Sequence, residues 1–503
     1  MTPLEINGND LSFPELRQVV YARRQVRLGD EARKKVAAAR EVVEKLLREN
    51  RVAYAINTGV GKLSDVHIEP AQNRQLQVNL IRSHSAGVGE PLSQEETRAM
   101  MLLRANSLAK GFSGVRAEVI DSTCAMLNHG VHPVVPSQGS VGASGDLAPL
   151  AHLALAMIGE GEVWAEQGRI SAAEALKRAG IKPLVPEAKE AISLINGTQA
   201  MLAVGTLALL AAETLAETAD VLGAMSLDAL HGTDVAFDDR IHAARPHAGQ
   251  MKVAANLRRL IAGSEIRASH KDCGRVQDAY SLRCIPQVHG AVRDTLEFCR
   301  KTFSIEMNSA VDNPLVFVSS GAEGDIISGG NFHGEPLAFA LDYMAIALSA
   351  LAGISERRIE RLVNPALNEG LPPFLAGDAG INSGFMMPQV TAAALASENK
   401  VLAHPASVDS ITTSGNKEDY VSMGMAAAIK LKKVVTNTTH VLAIEACAAA
   451  QALDFLAPLK SSEALRRAHA AIRKVSPTIE KDRVFATDFA RLAGLIQAGT
   501  LAE

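Results

Sequence analysis

The residues best placed to do chemistry form a glycine- and serine-rich run at residues 139–150, Gly-Ser-Val-Gly-Ala-Ser-Gly-Asp-Leu-Ala-Pro-Leu. An ordinary structural role is open to this run, because Asp146 can cap a helix that begins at Leu147 and glycines serve turns or anion-binding nests. The run contains no Gly-Lys-Ser/Thr, and its glycines do not follow the strand of a βαβ unit. Nucleotide binding is therefore not indicated.

The order Ala143-Ser144-Gly145 permits a different chemistry, a cyclisation of the backbone. The amide nitrogen of Gly145 can bend onto the carbonyl carbon of Ala143, since neither residue has a side chain bulky enough to oppose the compressed backbone. Loss of two waters then leaves a five-membered ring with an exocyclic methylene derived from Ser144. Such a ring is an electrophile that the chain makes from itself.

The run does not stand alone, because six further motifs accompany it in a fixed order. Together they resemble the signature of the aromatic amino acid lyase family whose members carry 4-methylidene-imidazol-5-one, or MIO. Single motifs are weak, but their joint order covers nearly the whole chain and is specific. The six motifs are Tyr-Ala-Ile-Asn-Thr-Gly at 54–59, Ser-His-Ser-Ala-Gly at 83–87, Ile-Asn-Gly-Thr-Gln at 195–199, Gln-Asp-Ala-Tyr-Ser-Leu-Arg-Cys at 277–284, Gly-Asn-Phe-His-Gly at 330–334 and Lys-Glu-Asp at 417–419.

The resemblance implies an ammonia-lyase whose prosthetic group is MIO formed from Ala143, Ser144 and Gly145, with no external cofactor. In this family the substrate amine adds to the methylene and becomes a better leaving group. Tyr54 then matches the base that takes the β-proton. By itself, Tyr54 would be an ordinary tyrosine with a satisfied hydroxyl.

Five residues receive binding roles through the resemblance alone. Arg283 matches the residue that grips the substrate carboxylate, a task that suits a planar, two-pronged guanidinium. Asn196, Gln277 and Tyr280 match residues that orient the substrate and the ring, and Phe332 matches an aromatic wall beside it. Without the resemblance, Arg283 would be a surface or salt-bridge arginine, and the others a helix cap, a polar helix face and core packing.

Two residues concern the choice of substrate. Taken singly, His84 is a structural histidine and Glu418 lies on a solvated helix face. In the family, the position of His84 selects the side chain of the substrate, and Ser-His there resembles the histidine-specific branch. A carboxylate at the position of Glu418 likewise suits an imidazole. The resemblance therefore implies conversion of L-histidine to trans-urocanate and ammonia, the first step of histidine degradation.

Other functions remain open from the sequence. One is a tyrosine or phenylalanine ammonia-lyase, or a 2,3-aminomutase, of the same family. Another is a non-catalytic helical scaffold, against which the intact Ala143-Ser144-Gly145, Tyr54 and Arg283 argue. The chain also departs from the family's usual pattern at Val60, where Phe is common, and at Tyr420, where histidine-specific members usually have His.

The elements that must position these residues are mostly helices. An amphipathic helix capped by Asp30 is predicted first, and alanine-rich helical segments follow, several of them apolar nearly all round. The strand signals are short. The predicted helical segments lie near 95–128, 189–225, 250–263, 334–362, 386–402, 421–455 and 462–474. The predicted strands are 4–6, 163–165 with a turn at Gly168, and 315–318 against 325–327.

The predicted fold class is mainly α, with a large central helical bundle, a smaller N-terminal α-rich domain and a few short peripheral strands. One domain boundary is expected near residue 110. Residues 1–110 then form the N-terminal domain with Tyr54 and His84, and residues 111–503 form the helical-bundle domain with the cyclisable segment and the remaining site residues. By resemblance, the protein is a homotetramer in which several subunits line each active site.

Composition limits the class of partner. The 503 residues are 47% hydrophobic and 21% charged with a formal charge of -4, which favours a small-molecule substrate over nucleic acid or an anionic membrane. The five cysteines are widely spaced without a Cys-x-x-Cys pair, and the histidines show no metal-binding spacing, so neither disulfides nor a metal site is predicted.

The same sequence features favour a cytoplasmic protein. Reduced thiols fit a cytosol, and the N-terminus lacks the basic and apolar segments of a secretory signal. The most apolar stretch, 200–212, lies between Gln199 and Glu213 and is shorter than the roughly 20 residues needed to cross a bilayer. It is predicted to be a buried core helix.

Overall fold

The computed structural model describes residues 1–271 and 273–502, and its secondary structure is mainly helical. The mainly α fold class predicted from the sequence is therefore confirmed. In the described residues the α-helices, α1 to α19, are Phe13–Val20, Asp30–Arg48, Asn73–His84, Gln94–Ala109, Ala117–His129, Leu147–Met157, Ala172–Ala179, Glu190–Ile195, Gln199–Ala229, Asp239–Ala243, Ala248–Ile261, Glu265–Ser269, Tyr280–Arg283, Ile285–Glu306, Glu335–Val363, Met386–Leu402, Gly424–Asp454, Glu463–Val475 and Phe485–Gln497.

The strands are short and form small separate sheets. The predicted hairpin near Gly168 is present as β6 and β7, and the predicted hairpin of 315–318 with 325–327 is present as β8 and β9, with Leu315 opposite Ile327. β1 pairs in parallel with β2, a partner that the sequence did not indicate. The strands, β1 to β9, are Leu4–Ile6, Val26–Leu28, Val88–Pro91, His132–Pro133, Pro136–Gln138, Glu162–Ala165, Gly168–Ser171, Leu315–Ser320 and Glu323–Ile327.

The chain divides into two compact units, each built from three stretches of sequence. The first unit comprises Met1–Leu207, Arg300–Leu341 and Pro405–Ile429, and the second comprises Ala208–Cys299, Asp342–His404 and Lys430–Glu503. Residue 110 lies inside the first unit, and the boundary expected there stays a prediction.

In the first unit, helix α2 supplies one hydrophobic cluster. Ala39 and Val43 of α2 pack with Ile56 and Val316, and all four are almost fully buried. The amphipathic helix is as predicted, but its cap is not. Gly29 occupies the N-cap position without a side-chain hydrogen bond, and Asp30 is the first helical residue. Its charge there suits the positive end of the helix dipole.

Two long helices predicted from the sequence are interrupted. The segment predicted over 95–128 is α4 and α5 with a loop between them, and the helix predicted to begin near 189 is α8 followed by α9. At the second break, Gly197 has φ +152°, which leaves the helical region. The break turns Asn196 and Gly197 out of helical geometry at the position where a site residue is expected.

In the second unit, a hydrophobic cluster joins three helices. Ala352 and Ile359 of α15 pack with Ala392 of α16 and with Val441 and Ile444 of α17. These helices were predicted within a few residues of their ends.

Helix α14 has 22 residues and was not predicted from the sequence. Pro286 and Gly290 have low helix propensity and so argue against a helix in the sequence. Pro286, however, lies in the first turn, where a missing N–H costs little. Gly290 permits close approach to α11, because a Cβ on it would lie 2.4 Å from the amide nitrogen of Gln250.

Two described helices, α9 and α15, are long and apolar enough to cross a membrane by length and composition alone. Protein buries 72% of the most apolar window of α9 and 61% of that of α15, as is common for core helices. The buried helix predicted around 200–212 is therefore present. It belongs to the helical segment predicted over 189–225, and α9 ends at Ala229.

Candidate active site

The loop that contains the cyclisable tripeptide, residues 139–146, lies between β5 and α6 and is called the cyclisation loop below. Gly145 has φ +72°, a conformation that favours glycine. A Cβ on Gly145 would lie 2.2 Å from the carbonyl oxygen of Gly197. The small residue that the ring chemistry requires is thus also required by the packing.

Ser144 lies at the centre of the cluster, and its side chain is half-buried. Its hydroxyl donates to Oε1 of Glu418 at 2.6 Å. Its carbonyl oxygen accepts a hydrogen bond from Nδ2 of Asn196 at 2.7 Å. The fold therefore brings together three predicted site residues from three distant motifs.

The backbone of the cyclisation loop also fits the proposed ring. Among the hydrogen bonds of the described residues, none is donated by the amide nitrogen of Gly145, whereas the next amide, that of Asp146, donates to the Gly197 carbonyl at 2.7 Å. An amide nitrogen with no acceptor is available to approach the carbonyl carbon of Ala143. The residues present are therefore compatible with MIO.

Asp146 does not make the side-chain cap bond that an ordinary structural role of this run would give it. It occupies the N-cap position of α6 without a side-chain cap bond. Its fully buried carboxylate instead accepts hydrogen bonds at 2.8 Å from the amide of Met201 and the hydroxyl of Ser140. Burial raises the pKa of Asp146 to about 6 despite these donors. Its side chain holds the cyclisation loop against the start of α9.

The Glu418 carboxylate has donors on both oxygens. Oε2 accepts from the hydroxyl of Thr413 at 2.6 Å, and the backbones of the two residues are also paired. Burial would raise the pKa of Glu418, but the hydrogen bonds from Ser144, Thr413 and Ser414 outweigh burial and hold the pKa below its usual range. Glu418 is therefore an anion at neutral pH.

His84 is the last residue of α3 and is half-buried. Burial lowers the pKa of His84, although the Leu80 hydrogen bond and the charge of Glu418 oppose this effect. Nδ1 lies 2.9 Å from the Leu80 carbonyl oxygen, so in the neutral ring Nδ1 is the donor and Nε2 is left as an acceptor. His84 and Glu418 therefore both offer acceptors.

The turn that carries Tyr54 is held by its own motif. The side chain of Asn57 accepts from the amide of Ala53 at 2.9 Å, and that of Thr58 accepts from the amide of Ala55 at 3.0 Å. These bonds explain why the residue types after Tyr54 matter for its position.

The Tyr54 hydroxyl oxygen accepts a hydrogen bond from the amide of Gly61 at 3.2 Å. Gly61 begins a 3₁₀-helix, Gly61–Leu63, whose N-cap is Val60. This 3₁₀-helix packs against another, Ser414–Asn416, just before Glu418. The loops of Tyr54 and Glu418 are therefore neighbours in the first unit.

Phe332 is half-buried in the turn at residues 330–334. This turn contacts the cyclisation loop, because the amide of Gly334 donates to the Gly142 carbonyl at 3.2 Å. The neighbouring His333 ring stacks on Tyr420 with centroids 6.0 Å apart. Tyr420 thus has a packing role at one of the two positions that depart from the family's pattern.

The other three predicted residues, Gln277, Tyr280 and Arg283, belong to the second unit. Gln277 is exposed, and Tyr280 is 71% exposed. The guanidinium carbon of Arg283 lies 4.5 Å from the centre of the Tyr280 ring, and its buried Nε has no hydrogen-bond partner among the described residues. Gln277 and Arg283 line a cavity of about 470 Å³.

Sequence reasoning missed Thr413 and Arg104. Thr413 gave no signal of its own, because its role depends on a turn that returns to Glu418. Arg104 did give one, since it is a cation within the otherwise apolar and small-residue stretch 99–105. Such a residue needs buried partners, and a search for them would have pointed to this site.

Comparison with known proteins adds an independent line of evidence. The sequence profile of the aromatic amino acid lyase family matches residues 11–474. A histidine ammonia-lyase of Koribacter versatilis is 68% identical over all of this chain and 99% of its own length.

Solved structures of related proteins also match. The crystal structure of histidine ammonia-lyase from Trypanosoma cruzi has a TM-score of 0.92 at 44% identity, covering 99% of this chain and 94% of that one. Tyrosine aminomutase from Streptomyces globisporus has a TM-score of 0.94 at 38% identity, covering 99% of this chain and 98% of that one. The fold alone therefore does not separate the two reactions.

Proposed function

This chain belongs to the aromatic amino acid lyase family, and we propose that it eliminates ammonia from L-histidine to give trans-urocanate, the first step of histidine degradation. One observation carries the choice of substrate. The Glu418 carboxylate, which accepts from Ser144, and the neutral His84, which interacts electrostatically with Glu418, both present hydrogen-bond acceptors.

Acceptors of this kind suit an imidazole side chain, because the neutral ring carries one N–H donor and the protonated ring carries two. A phenyl ring offers no donor and would leave the two acceptors unpaired in a partly desolvated site. Sites built around hydrogen bonds reject analogues that lack the matching groups for this reason. Two relatives named as histidine ammonia-lyases, which are 68% and 53% identical to this chain, agree with this preference.

The prosthetic group follows from the cyclisation loop. The amide nitrogen of Gly145 bonds to the carbonyl carbon of Ala143, and two waters leave, one of them with the hydroxyl of Ser144. The completed MIO would supply an electrophilic methylene for the substrate amine. Asn196 donates to the Ser144 carbonyl oxygen and so stabilises negative charge there.

Tyr54 takes the β-proton of the substrate. The amide of Gly61 donates to its oxygen and so fixes the position of the hydroxyl. The Tyr54 loop adjoins the loop of Glu418, which supports a position beside the bound imidazole. Phe332, whose turn contacts the cyclisation loop through Gly334 and Gly142, forms an aromatic wall of the site.

Arg283 grips the substrate carboxylate, and Gln277 and Tyr280 orient the substrate. The unpartnered Nε of Arg283 supports this assignment, because a buried guanidinium N–H without an acceptor is costly unless a ligand satisfies it.

The protein acts as a cytoplasmic homotetramer in which subunits share active sites. The second unit presents an apolar groove of about 770 Å³ along α14 and α15. Phe298, Tyr343 and Ile346 line this groove and are between 44% and 51% exposed. An apolar patch of this kind typically marks a protein interface.

The decisive experiment offers the purified protein histidine, tyrosine and phenylalanine separately and identifies each product. Urocanate and ammonia from histidine, with little conversion of the others, is the expected result. A β-amino acid that retains its nitrogen would instead identify an aminomutase. An unmodified Ser144 without turnover of any of the three would identify a non-catalytic relative.

A further inference from the structure

Arg104 is a fully buried cation that contacts the candidate site through the main chain of Asn196. It lies on α4, and its Nη1 donates at 2.8 Å to both the carbonyl oxygen of Asn196 and Oε1 of Gln199. Burial lowers the pKa of Arg104 only to about 10. The guanidinium therefore stays charged at neutral pH.

One acceptor belongs to the Asn196–Gly197 segment, and the other, Gln199, lies two residues after it. The same segment holds the cyclisation loop. On the loop side, the Asn196 side chain donates to the Ser144 carbonyl, and the Gly197 carbonyl accepts from Asp146. On the opposite side, a Cβ on Gly197 would lie 2.4 Å from Nη1 of Arg104. The segment is thus held between the guanidinium and the loop.

The charge of Arg104 is only partly balanced. The nearby carboxylate of Asp312 is bound by Lys189 at 3.0 Å and by the hydroxyl of Ser113 at 2.9 Å, all fully or almost fully buried. One carboxylate thus faces two buried cations. Nε and Nη2 of Arg104 have no hydrogen-bond partner among the described residues. A buried cation with idle donors is destabilising, so packing alone does not explain it.

We propose that Arg104 is a positioning residue for the lyase reaction. It fixes the main chain of Asn196 so that the amide side chain meets the Ser144 carbonyl oxygen, and its charge stabilises electron density that arrives on that oxygen. This inference rests on the proposed function. It concerns turnover, and cyclisation does not require it, because Arg104 donates to Asn196 and Gln199 and forms no hydrogen bond with Ala143 or Gly145 among the described residues.

The test compares Arg104 with a matched arginine on the same helix. Arg98 is also buried in α4, and burial likewise lowers its pKa to about 10. It donates to the carbonyl oxygens of Val19 and Leu127, which are not in the site. The variants are Arg104→Gln, Arg104→Lys, Arg98→Gln and Arg98→Lys. Each is measured for melting temperature, intact mass, and kcat and KM for histidine. The rate at which borohydride bleaches the prosthetic group is measured as well.

We expect all four variants to lack the mass of two waters. Arg104→Gln should lower kcat by about 10²- to 10³-fold, as expected for the loss of a preorganised charge-stabilising contact, with KM changed less than about threefold. Arg104→Lys should recover part of the loss because it keeps the charge. Borohydride should bleach Arg104→Gln more slowly than Arg98→Gln.

Equal losses of kcat in Arg104→Gln and Arg98→Gln at equal loss of melting temperature would overturn the inference, as would an effect confined to KM. If the Arg104 variants do not fold, Gln199→Leu removes one of the two acceptors instead. It should lower kcat by about tenfold, and an unchanged kcat would overturn the inference. A wild-type protein that does not convert histidine would refute the proposed function. The role of Arg104 would then be decided by whether borohydride bleaches Arg104→Gln more slowly than Arg98→Gln.

Discussion

The cluster around Ser144 in the first unit differs sharply from the segment 277–283 in the second. In the cluster, Ser144, Asn196 and Glu418 are joined by hydrogen bonds of 2.6 and 2.7 Å. In the segment, Tyr280 is largely exposed, and the Nε of Arg283 has no partner within the described chain.

The difference corresponds to two kinds of task. Cyclisation acts on the chain before any substrate is present, so its geometry must be built by the fold itself. A carboxylate grip needs its final order only when the substrate arrives, and binding then pays part of the cost of ordering. Variants of the cluster should therefore change kcat, and variants of the segment should mainly change KM.

The largest expected effect is that of Ser144→Ala. Without the hydroxyl, no methylene can form, so the variant should fold with wild-type thermal stability yet lose at least about 10⁴-fold in kcat. Intact-mass measurement should show that the wild type lacks two waters and the variant does not. A fully active wild type with unmodified Ser144 would sink the assignment of the whole cluster.

Tyr54→Phe should come next, with kcat lower by about 10²- to 10⁴-fold and a far smaller change in KM, because the hydroxyl acts on the proton in transfer. Steady-state kinetics with histidine measure both constants. Tyr21→Phe is a suitable control, since Tyr21 lies in the same unit and is 56% exposed. Equal turnover in the Tyr54 and Tyr21 variants would remove Tyr54 from the mechanism.

Glu418→Gln should lower the histidine kcat/KM by roughly 10- to 100-fold, because it keeps the shape and loses a charge-assisted hydrogen bond. Asp419→Asn removes the charge of the exposed neighbouring residue and should have no such effect.

His84→Leu tests the other side of the imidazole pocket. It should weaken histidine turnover and raise the rate with phenylalanine, a substrate that the wild type should disfavour by roughly 10⁴-fold. Rates with both amino acids decide the question. A wild-type preference for phenylalanine or tyrosine, or an unaltered histidine preference in both the Glu418 and His84 variants, would contradict the substrate assignment while leaving the ring chemistry in place.

The smallest effect is expected in the second unit. Arg283→Lys keeps the charge but loses the planar fork, so KM should rise by about tenfold with little change in kcat. Arg240→Lys is the control, because Arg240 pairs with Asp238 on the surface of the same unit. If Arg283→Lys lowers kcat and leaves KM unchanged, the proposed division between the two regions is wrong.

Much of the fold could be predicted because periodic apolar residues report directly on helix faces. The ends of α16 at 386 and 402 were predicted to the residue. Failures occurred where long-range contacts decide the structure. Helix α14 was not predicted, and Gly290 within it is explained only by the approach of α11.

The site was predictable at the level of residue type and not of geometry. Motifs identified Ser144, Asn196 and Glu418, but their mutual hydrogen bonds depend on the break after α8 and on the Thr413 turn. Asp146 illustrates the limit. A local rule allowed it to cap α6, whereas its carboxylate accepts from the amide of Met201, 55 residues away in sequence.

The hydrogen bond between Ser144 and Glu418 distinguishes a newly synthesised chain from a mature one. If Ser144 gives up its hydroxyl as proposed, this bond exists only in newly made chains and disappears on maturation. It is one of the contacts that hold the pKa of Glu418 down, so its loss lets that pKa rise and frees one carboxylate oxygen. In the newly synthesised chain, the Ser144 hydroxyl would thus occupy the Glu418 oxygen that is free to accept from the substrate in the mature enzyme.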